Sequence, residues 1–185
     1  VRSSATGTYT SGGTATQLND YRNFTSTGGT SNGDKVLYYN VATISAGNTV
    51  DAVVTTTTTN TSITTYDGTS ASANAGYFQP DLRLTGSNGK AVFNFAFYEH
   101  GTYTGANTGT PVVLENVTIS SIDLDNGGNG YQFTEFSGFQ QYTLTNNTEL
   151  TASTVPSTRL ERFTSTETDN MANVPQDMVQ VTYLT

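Results

Sequence analysis

The chain has 185 residues, of which 34% are apolar and 12% charged, with a formal net charge of -8. That acidity argues against nucleic acid and anionic membranes as partners, and no segment reaches the length of a membrane span. The 11 Tyr and 9 Phe, many in alternating runs, argue against disorder. With no cysteine, disulfides contribute nothing, so a thin core calls for another staple, for which bound metal is the common alternative.

Helical periodicity is nearly absent, and period-2 alternation recurs. The first 49 residues carry little readable pattern until the turn Asn32-Gly33-Asp34, after which 35–39 reads as a strand. Strands are predicted next over 49–57, 61–66 and 81–85, and then over 90–99, the clearest of all. The stretch 112–125 holds one or two more, and 131–136, 141–144, 149–155, 159–164 and 178–184 complete the series. About ten or eleven strands separated by Gly/Asn/Asp turns predict an all-β fold, a calcium-stabilised antiparallel β-sandwich. The run Thr55–Thr59 reads as an exposed edge strand, since Thr favours strands and no Thr-x-Thr period marks a flat array for ice or polysaccharide. The length suits one ligand-binding domain over 1–185. Its strand-like ends suggest a piece excised from a larger multidomain surface protein.

The acidic residues point to the site. If 117–125 is one strand, Val117, Ile119, Ser121, Asp123 and Asp125 share a face that is apolar at its start and doubly acidic at its end. Two carboxylates this close repel unless a cation lies between or beside them. The strand runs into Asn126-Gly127-Gly128-Asn129-Gly130, where glycine allows carbonyls to turn inward and Asn adds neutral oxygens. Calcium takes six to eight oxygens of this mixed kind. No EF-hand spacing is present, and an ordinary Gly/Asn-rich hairpin turn with two exposed Asp is the plainer alternative. The face Phe93, Phe95, Phe97, Glu99 also turns acidic at its end, and Glu135 follows the Gly-rich loop. The expected metal ligands are therefore Asp123, Asp125, Asn126, Gly128, Glu99 and Glu135. For Glu99 and Glu135 an unpaired surface position is the alternative. The remaining acidic turns, Gln176-Asp177 among them, read mostly as plain turns, with further calcium ions at one or two of them as the alternative.

Catalysis is not expected. His100 is the sole histidine, there is no cysteine, and no Gly-x-Ser-x-Gly elbow occurs. A His/Cys zinc site is excluded on the same count. Two carboxylates would suffice for a glycosidase, but aromatic sugar walls usually include Trp, which is absent.

The succession Val50-Asp51-Ala52-Val53-Val54, Phe78-Gln79-Pro80-Asp81-Leu82, Phe93-Asn94-Phe95-Ala96-Phe97-Tyr98-Glu99, Gly109-Thr110-Pro111-Val112, Ile122-Asp123-Leu124-Asp125, Glu135-Phe136-Ser137-Gly138-Phe139 and Tyr142-Thr143-Leu144 covers about two thirds of the chain. In that order it resembles the peptide-binding domain of bacterial RTX adhesins. The resemblance implies an extracellular, calcium-dependent module at the bacterial cell surface, acting in cell adhesion and biofilm. Its partners would be the C-terminal ends of peptides on other cells. Asp123, Asp125 and the 126–130 loop would then hold calcium close to the ligand, whose carboxylate can complete an open calcium shell or sit on backbone N–H groups. Asn126, Gly127, Gly128, Tyr131 and Gln132 are the expected ligand-binding residues, and a monomer is expected. A calcium-dependent carbohydrate-binding module and a structural spacer are the alternatives.

Overall fold

The structure is a computed structural model, and it describes residues 3–6, 21–23, 30–44, 47–66, 78, 80–105, 108–122, 124, 130–166 and 175–184. Thirteen strands lie among them: β1 (Ser3–Thr6), β2 (Tyr21–Asn23), β3 (Lys35–Thr43), β4 (Thr49–Thr59), β5 (Thr61–Thr65), β6 (Asp81–Leu84), β7 (Lys90–Glu99), β8 (Val117–Ser121), β9 (Phe133–Phe136), β10 (Gln141–Leu144), β11 (Leu150–Thr154), β12 (Glu161–Ser165) and β13 (Val179–Tyr183). The fold is all-β, with every described strand pair antiparallel except β1 beside β10. No described helix is long and apolar enough to cross a membrane, which leaves β-barrels unaddressed.

The chain divides into two compact units, a central one of residues 13–113 and a terminal one of residues 1–12 and 114–185. The central unit holds one sheet in the order β2-β3-β4-β7 and a second of β5 and β6. β4 lies between β3 and β7, and all of Val50–Val54 is buried. Alternation sends Val54 to one face, where it joins Val36, Tyr38, Ile63 and Tyr66. Val53 points the other way, to Leu37 and Tyr103. The near-continuous apolar reading of this strand follows from burial on both faces. The threonine run is not a simple edge strand. It is the second half of β4, Thr55 pairs on both sides, and Thr56 is fully buried with its hydroxyl against that of Tyr66. A β-branched residue fits a crowded pleat as well as an exposed one, so composition alone misplaced it.

The terminal unit sets the sheet β1-β10-β13-β8 against the sheet β11-β12-β9. Leu144, Leu150, Phe163, Val179 and Val181 from these strands share its core with Leu124 and Phe139. Ring edges close the gaps, as where Tyr142 meets Phe163 at a centroid distance of 5.0 Å. Two predicted strands change here. Residues 159–164 start later, at Glu161, because Arg159 has φ +56° and leaves extended geometry. The strand read over 117–125 ends at Ser121, opposite Val179, the first residue of β13. A 3-10 turn at Pro175–Asp177 precedes β13, so the ladder has no further partner to offer. The paired strand therefore carries the face parity as far as Ser121, and Asp123 and Asp125 lie outside the described residues.

Candidate metal and ligand site

Asp123, Asp125, Asn126, Gly127 and Gly128 lie outside the described residues. Leu124, between the two aspartates, is described. It is buried in the terminal core at 6% exposure, and its N–H donates to the Asp177 carbonyl at 3.1 Å. Asp177 closes the 3-10 turn and is itself 1% exposed. The preceding Gln176 carbonyl accepts from the Glu149 N–H and from the Thr148 hydroxyl, at 3.0 and 3.1 Å. The turn is thus tied to its surroundings on both sides. The sequence marked Asp177 as a turn residue with calcium as the alternative, and nothing local signals its burial.

Glu135 sits in the middle of β9, opposite Arg162 of β12. The guanidinium donates to Glu135 Oε1 twice, from Nε at 2.8 Å and from Nη2 at 2.5 Å. Arg162 also stacks over Phe133, 4.3 Å from the ring centre, which holds the pair in one geometry. Tyr131 and Gln132 precede this strand with exposed side chains, and the Gln132 carbonyl accepts from the Ser165 N–H at 3.1 Å. An open groove in the same unit is lined by Tyr142, Thr154, Arg159 and Glu161.

Glu99 belongs to the central unit. It ends β7 with an exposed side chain, and its main chain bonds Thr110 and Thr102. On the opposite parity of that sheet lies a polar cluster that sequence reading missed. Asp51 is fully buried, and its Oδ1 accepts the Asn40 N–H at 2.9 Å and faces His100 Nδ1 at 2.8 Å. Its Oδ2 accepts the Gly101 N–H at 2.9 Å. Asn40 stands at φ +53° in a register shift of β3, and Gly101 at φ +74° in the turn after β7. One carboxylate therefore ties down two irregular backbone sites, which is a structural role for His100 and Asp51. The available signal was the charge inside the apolar run Val50–Val54, since a charge in a strand buried on both faces needs partners. Among the described residues, no three of His, Cys, Asp and Glu group closely enough to hold a metal ion.

No protein-family model matches the chain, and no curated protein does. Among solved structures, the chain is similar to the N-terminal domain of the Streptococcus gordonii adhesin Sgo0707, at 13% identity and a TM-score of 0.43. That similarity covers 88% of this chain and 44% of the other, so the chain spans less than half of that structure's length.

Proposed function

We propose that this chain is a non-catalytic binding module of a bacterial surface adhesin, loaded with calcium in its terminal unit. Calcium there captures the C-terminal carboxylate of peptides on other cells. The adhesin reading rests on the order of motifs that resembles RTX peptide-binding domains. The observation that carries the metal reading is the bond from Leu124 to Asp177. It ties the residue between Asp123 and Asp125 to a third aspartate, one that is almost wholly buried. A carboxylate held away from water loses hydration, further carboxylates beside it would repel it, and a divalent cation would offset both costs. The proposed ligand oxygens are those of Asp123, Asp125 and Asp177, the Asn126 amide and the Gly128 carbonyl. Glu135 is taken up by Arg162, and Glu99 is not used. The exposed ring of Tyr131 and the neighbouring Gln132 would line the ligand beside the ion, with Gly127 supplying a main-chain N–H.

Calorimetry tests this with one short peptide in two forms, carrying a free or an amidated C-terminus. Binding of the free form alone, lost on adding EGTA, is expected. Equal binding of the two forms would sink carboxylate capture, and binding that survives EGTA would sink the calcium.

A further inference from the structure

We propose that the open stretch of β7, residues 90–96, pairs antiparallel with the same stretch of a second copy of this chain. β7 is the outer strand of its sheet and pairs with β4 without a register shift, from Lys90 opposite Thr59 to Glu99 opposite Val50. Among the described residues, its other edge is occupied at the far end alone. There the Glu99 N–H donates to the Thr110 carbonyl at 2.9 Å, and the Val112 N–H donates to the Phe97 carbonyl at 2.8 Å. Those two bonds set the parity, because main-chain groups of alternate residues point to the same edge. The N–H and C=O groups of Ala91, Phe93 and Phe95 therefore face outward, and none has a partner among the described residues.

This edge lacks the devices that keep strands apart. Proteins blunt exposed edges with charge, proline or a bulge. Ala91-Val92-Phe93-Asn94-Phe95-Ala96 has none of these, whereas β6, also an outer strand, carries Asp81 and Arg83. Val92 is 48% exposed and Phe95 42%, so the strand is open to solvent along this stretch.

A second copy fits the opening in both length and parity. A two-fold axis at Phe93 sets Ala91 opposite Phe95 of the other copy and Phe93 opposite Phe93, and every one of these pairs is hydrogen-bonding. Lys90 then falls opposite Ala96, one residue short of Phe97, where Val112 already takes the edge. The strand that the copy supplies is thus as long as the gap it fills. The two Lys90 charges stand at opposite ends of the ladder, about 20 Å apart at the usual strand rise, beyond the reach of screened repulsion. A ladder this short lies at the small end of protein interfaces, so the pairing is weak and concentration-dependent.

Sedimentation equilibrium of the whole chain from about 10 μM to about 1 mM, the range of a short interface, tests the proposal. The mass should climb from 19.7 kDa toward twice that value. Ala91→Pro removes an outward N–H and spares the ladder to β4, so it should stay monomeric with an unchanged melt. The chain has no cysteine, which permits a second test that does not depend on that variant folding. Val92 and Asn94 of the other copy form a close, non-hydrogen-bonded pair in this register. Oxidising an equimolar mixture of Val92→Cys and Asn94→Cys should give a mixed disulfide dimer in excess of either homodimer. A wild-type chain monomeric throughout, a folded Ala91→Pro that still dimerises, or no excess of the mixed disulfide would each overturn the proposal. The first of these would leave the edge to a strand from another protein.

Discussion

Asp51 shows how much one side chain can organise. Its carboxylate meets two main-chain N–H groups and the His100 ring from a position without solvent exposure. Asp51→Ala would leave the Asn40 and Gly101 N–H groups without their acceptors. A hydrogen bond to a charged group contributes about 1.5–3 kcal/mol, so losing both should cost about 3 kcal/mol or more. Asp51→Asn keeps an oxygen and should cost less. Urea denaturation of both variants checks this, and an alanine variant as stable as the wild type would remove the staple role. The same residue also marks the limit of sequence reading. Its charge was plain in the apolar run, but its partners lie 11, 49 and 50 residues away along the chain.

Strands were legible where alternation was long and turns were sharp. Lys90–Glu99 and Gln141–Leu144 come out with the bounds that the pattern implies. β1 and β2 were not legible, being 4 and 3 residues long, and β1 depends on a parallel partner at Gln141–Leu144. The strand expected to reach Asp125 stops at Ser121 because its partner strand starts at Val179. The turn between β6 and β7 gives a test at this scale. A Cβ on Gly89 would meet the Asn60 carbonyl oxygen at 2.6 Å and both Leu84 Cδ2 and Thr61 Oγ1 at 2.5 Å. Two of these neighbours are side chains that can shift, but the carbonyl cannot. Gly89→Ala should therefore cost about 1–3 kcal/mol, as overpacking does, read as a lowered melting temperature.

At the scale of the molecule, two units carry separate apolar cores. A bound ion stabilises whatever it binds in proportion to its affinity. If calcium occupies the terminal unit, its removal should act unevenly. Hydrogen exchange with EGTA should speed at Val117–Ser121, Leu124 and Val179–Tyr183 and stay unchanged at Val36–Tyr38 and Val50–Val54. Uniform behaviour in both regions, or no change in either, would remove calcium as the local staple. This readout needs no ligand, so it separates the metal from the peptide in the proposed function.

The sequence by itself determined the all-β class, the places of most strands and the acidic balance that a cation would answer. These are local properties, written in period-2 alternation, turn residues and charge. Only the tertiary structure decided which strands are neighbours, that the threonine run continues a central strand, and that Asp177 is buried with its carbonyl on Leu124. Each of these depends on contacts between residues far apart in the chain. Alternation states that a strand has two faces, but it does not state which other strand will cover them.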